Sequence, residues 1–273
     1  MSVNSRASSA ESDARAGSSQ PPFRKMAWLA RDIAVERRAD GVIVLKSRFP
    51  LDPYEPHIPA SVTKWAAARP DHIWLVQRRG PERQWRKVSY GEAKRTIDAL
   101  TQALLDMDLP AGRPVAILSG NSIEHALMTQ AAMQARIPAA PVSPAYSLMS
   151  QDHLVNPAVV MVQDGVMFEK ALAALDLDGI TVVHVDRAPA NIKSIAYADL
   201  AATPVTSAVE TSIAKITPDT VGKLLFTSGS TGMPKAVINT QKMMCANAKM
   251  MMQVRPRPDD APDGVYLDWM PWN

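Results

Sequence analysis

The chain has 273 residues, 47% of them hydrophobic and 21% charged, with 30 basic against 27 acidic side chains and a net charge of +3. At about 150 residues per domain this is a little under two domains, enough to bury a core without a disulfide or metal staple and too hydrophobic for wholesale disorder. The near balance of charge argues against a nucleic-acid binder, the single cysteine, Cys245, excludes a disulfide framework, and no apolar run is long enough to span a membrane.

Residues 1–22, rich in Ser, Ala and Arg and ending in Gln20-Pro21-Pro22, read as a disordered tail. They lack the apolar stretch of a secretory signal, and Glu11 and Asp13 count against a transit peptide. Residues 23–58 read as an N-terminal extension, with a short strand at 42–45 after the Asp40-Gly41 turn. A second basic stretch, 78–95, reads as solvated faces, since no stacking aromatics are interleaved at nucleic-acid spacing. Residues 59–68 read as a helix stopped by Arg69-Pro70, and 74–76 and 85–90 as strands. Ser89-Tyr90-Gly91-Glu92 has the spacing of a capping box, and Ala93, Ile97, Leu100 and Leu104 then line one helical face.

From Pro114 strands and helices alternate. Strands are expected at 115–118, 139–142, 158–162 and 180–185, with a helix capped by Asn121 or Ser122 and running to about Ala135, and another over 167–175. This is the pattern of a doubly wound, mainly parallel α/β sheet with flanking helices. Five methionines, Met243, Met244, Met250, Met251 and Met252, fall at helical spacing and are expected in the core, as is Cys245. The final Tyr266-Leu267-Asp268-Trp269-Met270-Pro271-Trp272-Asn273 is apolar and aromatic, which suits a protein interior.

The chemistry lies where the apolar strand 223–226 runs into Thr227-Ser228-Gly229-Ser230-Thr231-Gly232-Met233-Pro234-Lys235, followed by a second apolar strand at 236–239. Gly229 and Gly232 let a backbone approach a ligand closely, and successive N–H groups in such a loop form an anion-binding nest. Four hydroxyls and the Lys235 cation complete a design for polyphosphate. The spacing is neither that of a Walker P-loop nor that of a dinucleotide fingerprint, and it lacks a hydrolase nucleophile elbow.

Residues 224–235 closely resemble the AMP-binding signature of the adenylate-forming superfamily, which includes acyl- and aryl-CoA synthetases. The likeness covers roughly residues 59–273 and extends to Gly120-Asn121-Ser122 and Ala140-Pro141-Val142-Ser143-Pro144-Ala145-Tyr146. Stretches 49–54, 235–240, 243–247 and 268–273 are similar to feruloyl-CoA synthetases. The resemblance implies a ligase that joins a small aromatic carboxylate to ATP as acyl-AMP and then to coenzyme A, with Mg²⁺, in the cytoplasm, without nucleic acid or membrane as partner. It places Thr227, Ser228, Gly229, Ser230, Thr231 and Gly232 on the ATP phosphates, with Lys235 as the closing cation; it places no catalytic residue and no metal ligand within this chain. Residues 59–273 are then expected to be a truncated large N-terminal AMP-binding domain, without the small C-terminal domain.

Three departures from the family pattern stand out. Ala236 and Gln241 replace a glycine and a histidine, the segment 147–157 is too short for the family's helix of about three turns, and the family's adenine, ribose and Mg²⁺ motifs fall after Asn273. On this reading the chain is the N-terminal part of an aryl-CoA ligase. The alternatives are a non-catalytic fragment or pseudoenzyme, or a synthetase for fatty or benzoic acids.

Overall fold

A computed structural model describes residues 28–142, 156–227, 235–257 and 263–272. The first elements are an antiparallel hairpin of β1 (Ile33–Arg37) and β2 (Ile43–Ser47). Gly41 takes φ 83° in its turn, a conformation that favours glycine. The α1 helix (Ile58–Ala68) starts where His57 Nδ1 accepts from Ala60 N at 3.1 Å, and it stops before Pro70. A second hairpin, β3 (Ile73–Arg79) with β4 (Gln84–Ser89), leads into α2 (Tyr90–Asp106). The capping box forms as its spacing requires: Ser89 Oγ accepts from Glu92 N at 3.2 Å, and Glu92 Oε2 accepts from Ser89 N at 2.8 Å. Ala93, Ile97, Leu100 and Leu104 are all buried.

The alternating region then builds the main sheet. Its elements are β5 (Val115–Leu118), α3 (Ile123–Gln134), β6 (Ala139–Val142), β7 (Val159–Val162), α4 (Glu169–Ala173), β8 (Thr181–His184), β9 (Ile195–Ala196), α5 (Tyr197–Leu200), α6 (Ser207–Ala214), β10 (Val221–Thr227), β11 (Lys235–Thr240) and α7 (Gln241–Val254). The seven strands lie in the order β11-β10-β6-β5-β7-β8-β9. Every pairing is parallel except that of β10 with β11. This is the mainly parallel α/β sheet with flanking helices that the alternation predicts.

The period of two divides each strand between two cores. Val115 and Ile117 face Ile97, Leu100, Leu127 and Met128, under α2 and α3, whereas Ala116 and Leu118 face Phe168 and Leu172, under α4. Both faces are covered, as parallel sheets require. The α4 helix is shorter than the expected 167–175 because Asp164 Oδ1 accepts from the amides of Val166 and Met167, holding them in a turn before the helix begins. The strands β1 and β9 and the helices α5 and α6 were not anticipated; each is short, and their periodic signal is weak.

Three expectations are corrected. Met243, Met250, Met251 and Met252 are exposed, at 57%, 47%, 57% and 70%, instead of buried. The α7 helix enters the interior through Gln241 and Cys245, which are buried. A Cβ on Gly222 of β10 would collide with Met244 Cε and lie 2.8 Å from Gln241 Nε2, so glycine there permits the close approach of α7. Further along, α7 meets the extension instead: Lys249 pairs with Asp52 at 3.2 Å, and Gln253 Nε2 donates to Pro50 O at 2.8 Å. Helical spacing shows that the methionines cluster, but not that anything covers them. The aromatic segment also departs from expectation, since Tyr266, Leu267 and Trp269 are exposed and Trp272 is part-buried. The basic stretch is only partly solvated, because Arg79 and Arg86 converge on Glu124.

Candidate functional site

Because β10 runs parallel to β6, and through it to β5, β7 and β8, Thr227 ends its strand at the same sheet edge as Leu118, Val142, Val162 and His184. Open α/β sheets bind ligands outside this carboxyl edge. Lys235 opens β11 as the direct partner of Thr227, and Thr227 Oγ1 donates to Lys235 O at 3.4 Å. The hairpin thus brings the first and last residues of the expected phosphate loop side by side, both exposed, at the edge where a ligand would arrive. Ser228, Gly229, Ser230, Thr231 and Gly232 lie outside the described residues, as do His153 and most of the short 147–157 segment.

Beside this hairpin the β5–α3 junction carries residues that the sequence did not mark as functional. Ser122 caps α3 by accepting from His125 N at 3.0 Å. That leaves Asn121 free, and its amide pairs with the backbone of the 263–272 segment: Nδ2 donates to Met270 O at 2.7 Å and Oδ1 accepts from Trp272 N at 3.1 Å. The Trp272 ring stands edge-on to His125, centroids 5.3 Å apart at 75°. His125 Nδ1 lies 3.1 Å from Gly120 O, and a carbonyl only accepts, so Nδ1 carries the proton. Burial, then the nearby Lys223 charge, push the His125 pKa down to about 4, although the bond to Gly120 acts the other way. Burial also lowers the Lys223 pKa.

A polar network continues along the edge. Gln163 Oε1 accepts from Ser119 Oγ at 3.1 Å and from Ser122 Oγ at 2.9 Å, and Gln163 Nε2 donates to Asp186 Oδ2 at 3.1 Å. Asp186 and Glu124 both meet Arg79, at 3.4 and 3.1 Å, and Arg86 closes on Glu124 as well. This ties the β3–β4 hairpin to α3 and to the sheet edge at Asp186. Gln241, one of the departures from the family pattern, accepts from Ile58 N at 2.9 Å and so joins the start of α7 to α1. Among the described residues no group of three or more His, Cys, Asp or Glu is placed to hold a metal ion. No helix among them is long and apolar enough to cross a membrane.

The family model for AMP-binding enzymes matches residues 62–272, from within α1 to the end of the aromatic segment. The chain belongs to the AMP-binding enzyme family. A curated protein similar to it is phosphinothricin tripeptide synthetase PhsB of Streptomyces viridochromogenes, 28% identical over 228 residues, which are 83% of this chain and 17% of that protein. Among solved structures, acetoacetyl-CoA synthetase from Streptomyces lividans superposes with a TM-score of 0.59 at 19% identity over 72% of this chain and 32% of its own. VinN in complex with L-aspartate gives 0.56 at 17% identity over 73% and 48%. A fatty acyl-adenylate ligase from L. pneumophila, in complex with acyl adenylate and pyrophosphate, gives 0.53 at 16% identity over 72% and 32%. At these identities the likeness shows a shared fold. The chain spans well under two thirds of the length of each of these relatives. Within the AMP-binding match lie the whole main sheet and both ends of the 227–235 loop; β1 and β2 lie before it.

Proposed function

We propose that this chain carries the ATP-phosphate site of an adenylate-forming ligase. Thr227, Ser228, Gly229, Ser230, Thr231 and Gly232 cradle the β- and γ-phosphates, and Lys235 closes the site as its cation. Mg²⁺ enters with ATP as part of the substrate. The carboxylate of a small acid attacks the α-phosphate, the acyl-adenylate forms and pyrophosphate leaves. Preorganised amides, hydroxyls and the Lys235 ammonium stabilise the charge that moves onto the leaving pyrophosphate. In a second step coenzyme A thiolate attacks the acyl carbon and AMP departs. No residue of the loop acts as a nucleophile.

The observation that carries this reading is the pairing of Thr227 with Lys235 at the carboxyl edge of the sheet, one at each end of a Ser/Thr/Gly run, in a chain of the AMP-binding family. The acid is proposed to be aromatic, of the ferulate type, on the strength of residues 49–54, 235–240, 243–247 and 268–273. Residues 59–273 are proposed as one AMP-binding unit, with 23–58 an extension and 1–22 a tail. The test is equilibrium binding of MgATP to the native chain and to Lys235→Ala, with ATP–pyrophosphate exchange across ferulate, benzoate and fatty acids. Tight MgATP binding that Lys235→Ala weakens at least tenfold supports the site; equal binding by both proteins refutes it.

A second reading of the acceptor step is favoured by the identity with a peptide synthetase. It keeps the first half-reaction and replaces coenzyme A with another acceptor. AMP release that depends on added coenzyme A distinguishes the two.

A further inference from the structure

The main sheet ends in two unlike edges. At one, β9 is two residues long, which leaves little backbone for another chain to pair with. At the other, β11 runs for six residues, with β10 on one side and, among the described residues, no strand on the other. Sheet edges in proteins usually carry a device against pairing, such as a proline, a bulge or a charge within the strand. The strand Lys235-Ala236-Val237-Ile238-Asn239-Thr240 has no proline, and its one charge is its first residue. The register shift of the hairpin lies on β10, between Val221 and Lys223. Asn239 Nδ2 donates to Val237 O at 3.0 Å, so one carbonyl of the strand takes a bond from the strand's own side chain.

Both sides of this edge are apolar. Phe226 packs into the cluster under α4, so its partner Ala236, and with it Ile238, turn to that face, while Val237 turns to the other. Val237 and Ile238 are both exposed. On the Val237 side lies α7, joined to α1 through Gln241. Its two charged residues, Lys242 and Lys249, are seven apart and share one flank, where Lys249 meets Asp52. The rest of its exposed surface carries Met243, Met250, Met251 and Val254 and no charge. These four, with Val237 and Ile238, each expose 45–57% of their surface. That is roughly 500 Å² of apolar area, and with the open strand backbone it approaches the about 800 Å² per partner of a standard interface.

We infer that β11 pairs antiparallel with β11 of a second copy of this chain about a two-fold axis, joining the two seven-stranded sheets into one. Residues opposite each other in an antiparallel pair face the same side, so a strand paired with its own copy sets one residue against itself. At the middle of β11 that residue is Val237 or Ile238. Either register puts Lys235 opposite the far end of the second strand, so no like charges meet. The axis stands perpendicular to the sheet and brings the two α7 helices side by side on one face, where their methionines cover each other. The inference does not depend on the ligase reading. It adds that the hairpin carrying residues 227–235 is held from both sides, with the two runs at opposite ends of the shared strand pair.

The test is sedimentation velocity of the full chain over the micromolar range. A species of twice the chain mass is expected to grow with concentration. Ile238→Lys, which brings two ammonium groups together near the axis, and Met250→Lys are each expected to weaken association about tenfold or more. Both positions are exposed, and thermal melts verify that the variants fold. Under mild oxidation Val237→Cys or Ile238→Cys, whichever residue lies on the axis, is expected to form a cross-linked dimer, whereas the native chain, whose Cys245 is buried, forms none. Hydrogen exchange at the β11 amides of the native chain, which needs no variant, is expected to slow as concentration rises. A chain that stays monomeric across the range overturns the inference. So does association that Ile238→Lys leaves unchanged, or that neither cysteine variant cross-links. Either result places the contact on another apolar face, such as that of β1 and β2. Exchange in β11 that ignores concentration also rejects the pairing.

Discussion

Asn121 holds Trp272 through the backbone, accepting from its N–H at 3.1 Å while donating to Met270 O two residues earlier at 2.7 Å. One side-chain amide thus acts as a short strand partner for the 270–272 segment and sets the Trp272 ring against His125. The segment is otherwise exposed from Val265 to Met270, and this clamp and the Arg69–Asp263 pair at 2.6 Å are among its anchors.

Replacing Asn121 is expected to free that segment without unfolding the core. Asn121→Ala removes both bonds, a local loss of about 1–3 kcal/mol. Asn121→Asp keeps an acceptor for Trp272 N and loses the donor to Met270 O. Hydrogen exchange at the Trp272 amide should be fastest in the alanine variant and intermediate in the aspartate one, with the global urea midpoint nearly unchanged. Equal exchange in all three proteins would show that the clamp holds nothing.

Removing Glu124 is expected to be far more damaging. It is 3% exposed and receives both Arg79 and Arg86, so Glu124→Leu leaves two guanidinium groups facing an apolar residue. Breaking one side of a buried ion pair costs about 3–5 kcal/mol. Both arginines reach solvent, which puts the expected loss at the low end of that range. Urea denaturation measures it, and a change below about 1 kcal/mol would mean that the hairpin does not depend on this pairing.

Acid is expected to weaken the fold through His125. Its folded pKa of about 4 lies below the unfolded 6.5, so the unfolded chain binds the extra proton between these values. Stability from this residue is complete above about pH 6.5, falls as the pH drops toward 4 and is then exhausted, a total of about 3 kcal/mol. His125→Phe removes the titrating group. A plot of stability against pH should therefore be flatter over that window in the variant than in the native chain. Parallel curves would contradict the assignment.

Gly165→Ala is expected to destabilise the loops after β7 and β8. A Cβ there would collide with Pro189 N and lie 2.6 Å from Arg187 O, both backbone atoms that cannot turn aside. The bond from Gly165 N to Arg187 O, 2.8 Å, would be lost in any shift that relieves the clash. Thermal melting of the variant against the native chain checks this, with a loss of roughly 1–3 kcal/mol expected for such overpacking.

Much of this architecture is legible in one dimension. The capping box at Ser89 and Glu92, the stripe Ala93, Ile97, Leu100 and Leu104, and the apolar strands 115–118 and 139–142 are local patterns, with periods and caps that follow from backbone geometry. The Ser/Thr/Gly run between Thr227 and Lys235, proposed here as a phosphate site, is legible for the same reason, because an anion nest is built from consecutive residues. Partners far apart in the chain are a different matter. Asn121 reads as a possible cap, and only the fold gives that role to Ser122 and brings Asn121 to a residue 151 positions away. Lys223 reads only as the first residue of an apolar strand, and the fold brings its charge near His125.

The sequence by itself therefore determined the α/β class and most of the elements, and it marked the proposed phosphate loop, since each is written in contiguous periodicity and spacing. The tertiary structure alone decided which strand neighbours which, that four of the five methionines of α7 face outward, that Glu124 gathers two arginines, and that Trp272 meets His125 at the start of α3. Periodicity records that a residue has a preferred face; what stands opposite that face depends on chain crossings over tens to hundreds of residues, and these leave no local mark.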